Sequence, residues 1–343
     1  MNWSEAKHVA VIMPTWIGDV VMATPTLHRL REVLAEGSSI TALVRHGHQP
    51  LLEGLQCVDA IETLDYRGLL GAWRGAARIR QFGPDTILVL PNSFRSALTA
   101  RLSGAQHRIG WIWDGRGWLL SEAAQAPDRS NGYPQVNWYY ELVDPKTTQQ
   151  PVCPTLAVLP EDIVEAEQVL GNKAQAWVAL VPAAMKAHKR WPSERFIAVA
   201  NALHENYGWG AIVVGTSKDA DITGEIASGC VGPSIDLAQA GSSLGALKAI
   251  MQRAKLAICI DTGPRHVAIG VGTPTISLFG PTDHRWTIIP NVHEVRLLAD
   301  PFLREHEIAG LRSRESSCCM ESIRITDVLD AVFQTKAHIQ DGT

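Results

Sequence analysis

The chain has little of what would tie it to a metal, a disulfide frame or a membrane span. Its six cysteines, Cys57, Cys153, Cys230, Cys259, Cys318 and Cys319, form no C-x-x-C pair, and none stands beside histidines at zinc spacing. Cysteines used this way indicate a reduced, cytoplasmic protein without a metal site. The first residues, Met1 to Lys7, lack the apolar core of a signal peptide. No apolar run approaches the roughly 18 residues a membrane span needs. There is no G-x-G-x-x-G, no G-x-x-x-x-G-K-[ST] and no G-x-S-x-G, so the dinucleotide fingerprint, the P-loop and the nucleophile elbow are all missing. A net charge of −4 argues against a general nucleic-acid binder. Lysine is absent from residues 67 to 116, yet that segment holds eight arginines against only Asp85 and Asp114. It is read as a local basic face, with a solvated helix face as the plainer alternative.

What is present is the material of a large globular core, 46% apolar and 19% charged residues in 343. At about 150 residues per domain, two domains are expected. Buried strands and amphipathic helices alternate. His8 to Met13, Ser39 to Val44, Ala60 to Leu64, Thr86 to Leu90 and His107 to Gly110 read as strands. A single helix is expected over Val20 to Leu34, and others near Gln49 to Leu55, Leu69 to Gln81, Ser96 to Leu102 and 133 to 143. Residues Pro145 to Pro160 are Pro-rich and aperiodic, which places a domain boundary there. Beyond it, Ala176 to Val181, Ala211 to Val214, Leu256 to Ile260 and Thr275 to Phe279 read as strands of a second α/β set. Strands alternating with helices predict parallel sheets covered on both faces.

The second set centres on Leu256 to Pro281, a strand, a tight turn at Asp261-Thr262-Gly263, a short helix and a second strand. A helix start of this kind aims unpaired N–H groups and a positive dipole end at whatever lies above the sheet, and a phosphate suits it. In parallel sheets ligands bind outside the carboxyl ends of the strands. Four loops there are rich in polar residues: Pro14 to Asp19, Pro91 to Ser96, Pro182 to Trp191 and Asp261 to His266. Gly215 to Asp219 is a second possible nucleotide loop through Thr216, or else an ordinary strand-to-helix turn.

At these loops the chain resembles glycosyltransferase family 9, the ADP-heptose:lipopolysaccharide heptosyltransferases, nearest to the heptosyltransferase II branch. The resemblance rests on Thr15-Trp16-Ile17-Gly18-Asp19, Leu90 to Ala97, Lys189-Arg190-Trp191-Pro192, Asp261-Thr262-Gly263 with His266-Val267-Ala268, and Phe279-Gly280-Pro281-Thr282. These fall in order over roughly residues 8 to 330. The resemblance implies an α/β fold of GT-B type, two Rossmann-like domains whose parallel sheets face across a cleft. Residues 1–160 would bind the acceptor and 161–343 the nucleotide sugar, with the C-terminal helix packing back on the first domain. It implies inverting transfer of heptose from ADP-L-glycero-D-manno-heptose to the lipopolysaccharide inner core, Kdo-lipid A with or without a first heptose. No metal or cofactor is implied, and the enzyme is expected at the cytoplasmic face of the inner membrane. Another nucleotide-sugar transferase, an epimerase and a non-catalytic sugar-nucleotide binder are the alternatives.

An inverting transfer needs a base on the acceptor hydroxyl, and the family places it at Asp19. The plainer reading of Asp19 is a helix cap. Without a metal, positive groups must stabilise the leaving diphosphate, and the family assigns Lys189 to this charge. Thr262 and the Gly263 N–H are further candidates. Asp261 is expected to bond sugar hydroxyls and His266 a phosphate or the ribose, although a helix histidine can simply be packed. Asn92, Ser93 and Arg95 are expected to meet the acceptor. The chain departs from the family pattern at Met185, Lys186 and Arg265, where Lys186 or Arg265 would compensate with charge.

Overall fold

The computed structural model describes residues 3–68, 70–128, 132–145, 151–171, 173–174, 176–184, 189–280, 283–299 and 320–341. Met185, Lys186, Pro281, Thr282, Cys318 and Cys319 lie outside the described residues. The chain divides into two compact units, Met1–Ala157 with Thr287–Pro290, and Val158–Trp286 with Asn291–Thr343.

The first unit runs β1 (His8–Ile12), α1 (Ile17–Met22), α2 (Thr24–Val33), β2 (Ser39–Val44), β3 (Ala60–Thr63), α3 (Gly71–Phe82), β4 (Thr86–Val89), α4 (Phe94–Ser103), β5 (His107–Ile112), β6 (Glu122–Gln125) and α5 (Gln135–Tyr140). Its six strands are all parallel, in the order β3-β2-β1-β4-β5-β6. Buried side chains such as Ala10, Ile12, Ile87 and Val89 pack against Ile79, Ala97 and Ala100 of the helices. Burial on both faces explains why β1 and β4 read as continuous apolar runs.

The single helix expected over Val20 to Leu34 is two. Ala23 ends α1 and begins α2, because Pro25 carries no N–H and cannot continue the ladder. The Thr24 hydroxyl donates to the Val21 carbonyl at 2.9 Å and restores a bond at the break. The helix expected near Gln49 is only a 3-10 turn over Gln49–Leu51.

The second unit runs α6 (Pro160–Leu170), β7 (Trp177–Val181), α7 (Ser193–Tyr207), β8 (Gly210–Val213), α8 (Ala220–Gly229), β9 (Ser234–Asp236), α9 (Leu237–Ala240), α10 (Leu244–Arg253), β10 (Leu256–Ile260), α11 (Gly263–Gly270), β11 (Thr275–Phe279), β12 (Glu294–Leu298) and α12 (Ile325–Asp341). The order is β12-β11-β10-β7-β8-β9, again all parallel. It is the arrangement of the first sheet repeated without visible sequence repetition. Trp191, fully buried, packs edge-on to Phe196 at 5.0 Å and donates to the Ile323 carbonyl at 2.9 Å. That bond ties the start of α7 to the segment before α12. Among the described residues, α12 packs mainly on α7, β11 and β12 of its own unit.

Strand order reverses between β1 and β4 in the first sheet and between β7 and β10 in the second. A parallel sheet opens a crevice at such a point, outside the carboxyl ends of its strands. The loops after these four strands are the four singled out in the sequence.

Candidate active site

In the second unit the residues after β7 and β10 meet. Lys189 Nζ donates to Asp261 Oδ2 at 3.1 Å. Arg265 Nη1 lies 4.0 Å from the other oxygen, Oδ1. Burial alone would raise the pKa of Asp261, but Lys189 and Arg265 outweigh it and hold the carboxyl below its ordinary value. Asp261 also stands beside the amino end of α11, where a negative charge is favoured.

Arg265, expected with Lys186 as a compensating charge, is fully buried. Its Nε donates to Ser277 Oγ and to Glu294 Oε1, each at 2.8 Å, and its Nη2 also reaches Glu294 Oε1. The guanidinium lies 4.9 Å from the centre of the Phe279 ring. Glu294 is itself buried, so α11, β11 and β12 share one desolvated ion pair directly behind Asp261. Glu294 escaped the sequence reading because it sits 29 residues from its partner in an edge strand, with nothing local to mark it.

His266 is packed, as the plainer reading held, yet its hydrogen bonding is incomplete. Burial, helped by Arg265, pushes its pKa down to about 3, so the imidazole is neutral at neutral pH. Its Nε2 faces Arg265 Nη1 at 3.4 Å and can only accept there, which leaves the proton on Nδ1. Nδ1 is buried and has no hydrogen-bond partner among the described residues. Such a donor is costly to leave unmatched. Thr262 occupies the N-cap position of α11, but its hydroxyl donates to the Ile260 carbonyl at 3.4 Å and does not cap. Pro264 has no N–H, and the Arg265 N–H is taken by the Thr262 carbonyl at 3.2 Å. Gly263 provides the first helical N–H, which has no partner within a helix.

Thr216 follows β8, two strands from β10. Its hydroxyl and N–H both bond Asp219 Oδ2, at 2.7 and 3.0 Å, in a capping box. Its polar groups are thus already engaged in a strand-to-helix turn.

In the first unit, Asp19 is the third residue of α1, and the N-cap position belongs to Trp16. Asp19 therefore does not act as the cap. Asn92, Ser93 and Arg95 occupy the loop after β4 and the start of α4. Ser93 caps α4, accepting from the Ser96 N–H at 3.1 Å. Arg95 is exposed and enters no ion pair among the described residues.

The basic segment divides. Arg78 pairs with Glu62 at 2.8 Å and lies over the Phe82 ring, and Arg80 donates to the Leu102 carbonyl at 2.6 Å. Arg108 bonds three backbone carbonyls, and Arg116 is buried. These four hold the fold. Arg67, Arg74 and Arg95 stay exposed around the carboxyl edge of the sheet. Among the described residues the same edge carries exposed Trp16, Leu70, Trp73, Phe94 and Trp118, in the loops and first turns that follow β1, β3, β4 and β5, and Ile112 at the end of β5. Phe94 and Trp118 pack together at 6.3 Å.

Among the described residues no group of three or more His, Cys, Asp or Glu side chains could hold a metal ion, and no helix is long and apolar enough to cross a membrane. Among the described residues, Cys57, Cys230 and Cys259 are free thiols.

Two doubly wound parallel sheets, one with a partly buried Lys189–Asp261 pair, a buried Arg265 and a neutral His266 at its switch point, define a two-unit α/β protein of Rossmann-like architecture. Residues 73–302 match the profile of glycosyltransferase family 9 (heptosyltransferase), and the chain belongs to that family. It is a glycosyltransferase. It is 28% identical to lipopolysaccharide heptosyltransferase 2 of Escherichia coli K12, over 84% of this chain and 87% of that one. It is 26% identical to lipooligosaccharide heptosyltransferase 2 of Haemophilus ducreyi, over 81% and 85%. Among solved structures, E. coli ADP-heptose heptosyltransferase II superposes with a TM-score of 0.81 at 21% identity, covering 97% of this chain and 99% of that one. E. coli heptosyltransferase WaaC with ADP-2-deoxy-2-fluoro heptose gives 0.67 at 16% identity, covering 95% and 99%. The fold is that of the GT-B heptosyltransferases.

Proposed function

We propose that the protein is an inverting, metal-independent heptosyltransferase of lipopolysaccharide core synthesis. Its donor is ADP-L-glycero-D-manno-heptose, and its acceptor is the Kdo-lipid A inner core, with or without a first heptose. The observation that carries this reading is the Lys189–Asp261 pair beside the amino end of α11, with the unmatched Nδ1 of His266 in the same cluster. The bound ADP-heptose analogue named for the E. coli relative supports the choice of donor.

In this reading the acceptor hydroxyl loses its proton to Asp19 as its oxygen attacks the anomeric carbon of the heptose. The bond from that carbon to the diphosphate breaks on the opposite face, and ADP leaves with the electron pair. Lys189 and the Gly263 N–H take up the charge that grows on the diphosphate. His266, neutral and protonated on Nδ1, donates to a phosphate or ribose oxygen. Asp261 accepts from sugar hydroxyls and keeps Lys189 oriented between turnovers. The exposed aromatic and arginine side chains at the carboxyl edge of the first sheet suit an anionic bilayer carrying the acceptor's lipid. This supports a place at the cytoplasmic face of the inner membrane.

Asp19→Asn tests the mechanism. It keeps size and polarity but removes the proton acceptor. The kcat should fall roughly 10² to 10⁴, the usual worth of a positioned base. ADP affinity should not change, and stability should shift by no more than about 1 kcal/mol, the worth of a charge in a first helical turn. A near-normal kcat would remove Asp19 from the reaction.

A further inference from the structure

Arg116 is a fully buried arginine with no carboxylate in ion-pair range among the described residues. Its position follows from local sequence. Asp114 and Gly115 both take positive φ, 45° and 69°, and the Arg116 N–H bonds the Trp113 carbonyl at 3.0 Å. An Asp-Gly pair in this conformation reverses the chain tightly after β5. The reversal sends the Arg116 side chain back along β5, where its Nε donates to the Trp111 carbonyl at 3.0 Å. Gly110 lies beside it: a Cβ there would touch Nη2 at an ordinary 3.5 Å and press on the Val89 carbonyl at 3.2 Å.

Every other bond of the guanidinium goes to one loop. Nη1 donates to the Pro91 carbonyl, to the Ser93 carbonyl at 3.1 Å and to Ser96 Oγ at 3.3 Å. Nη2 reaches Asn92 Oδ1 at 3.4 Å. Burial pulls its pKa down to about 10, which still leaves it charged at neutral pH. A buried cation without a counter-ion is expensive, and carbonyl dipoles must offset it. They are the dipoles of the loop at the first switch point, which carries Asn92, Ser93 and Arg95.

We infer that Arg116 is the positioning residue of the acceptor loop: its fork fixes the backbone of Pro91 to Ser93 and turns Asn92 and Arg95 toward the acceptor. The inference rests on the proposed heptose transfer and on the acceptor roles expected of Asn92, Ser93 and Arg95. Lysine cannot replace it, because one ammonium cannot serve carbonyls on both sides of the planar fork.

The test compares Arg116→Lys and Ser96→Ala with the parent enzyme. Ser96→Ala removes one anchor of the same loop and keeps Arg116, so it serves if the first variant does not fold. Acceptor KM should rise about ten- to a hundredfold in Arg116→Lys, the usual cost of a misplaced binding group, and less in Ser96→Ala. Donor KM and ADP affinity should hold. Hydrogen exchange should speed up in the peptide spanning 90–96. Unchanged acceptor KM with unchanged exchange would overturn the inference. So would donor and acceptor constants worsening together with melting temperature, the mark of a merely structural role. A parent enzyme that transfers no heptose would instead sink the acceptor assignment, and exchange in 90–96 would still decide whether Arg116 fixes the loop.

Discussion

At the scale of single residues, the site is built from charges whose burial the sequence does not announce. Folded His266 binds its proton only near pH 3, against 6.5 when exposed. The unfolded chain therefore takes up the proton first, and stability falls as pH drops from about 6.5 toward 3. His28, His48 and His284 are depressed by burial too and add slope of the same sign. Asp261 loses its stabilising charge only below the ordinary carboxylate value of 3.8. Between pH 6.5 and 4 the melting temperature should fall steadily, and His266→Asn should flatten that fall more than replacing any of the other three. An unchanged profile would mean His266 is not held neutral. The two loops that carry Lys189 and Asp261 were legible as motifs, but the pairing of these side chains across 72 residues was not. The burial of Arg265 and Arg116 was not, because arginine is read as exposed until the fold supplies partners.

At the scale of elements, the strongly periodic segments were legible and the weak ones were not. The buried strands β1, β4, β7, β10 and β11 could be read from apolar runs alone. The edge strands β6, β9 and β12 could not, since each is only partly buried and shows no continuous apolar run. Yet β12 supplies Glu294, which locks α11 in place. Arg265→Met takes away the main partner of that buried carboxylate, leaving it the Ser277 hydroxyl and a distant Arg296 at 3.9 Å, which should cost up to about 3–5 kcal/mol in urea unfolding. Pairing it with Glu294→Leu should recover most of the loss. A single-variant loss below about 1 kcal/mol, the worth of an exposed pair, would show that the ion pair does not hold the element.

At the scale of the whole molecule, two units with one strand order bring four separated loops to two switch points. That order was not legible, because apolar runs do not report their neighbours. Among the described residues, the first sheet's carboxyl edge carries six exposed large apolar side chains. If it meets an anionic bilayer, Leu70→Ser with Trp73→Ser should lower binding to anionic vesicles roughly tenfold, a fraction of the about 1.5–3 kcal/mol each side chain is worth when fully buried. Equal binding by both proteins would place the contact elsewhere. The central claim is heptose transfer from an ADP sugar without a metal. Its most direct test incubates the protein with ADP-L-glycero-D-manno-heptose, EDTA and truncated inner-core acceptors, and follows ADP release and acceptor mass. The account predicts one ADP released for each heptose gained, at a rate EDTA does not change. No mass gain on any acceptor, or a gain that requires added Mg²⁺ or a UDP sugar, would contradict it.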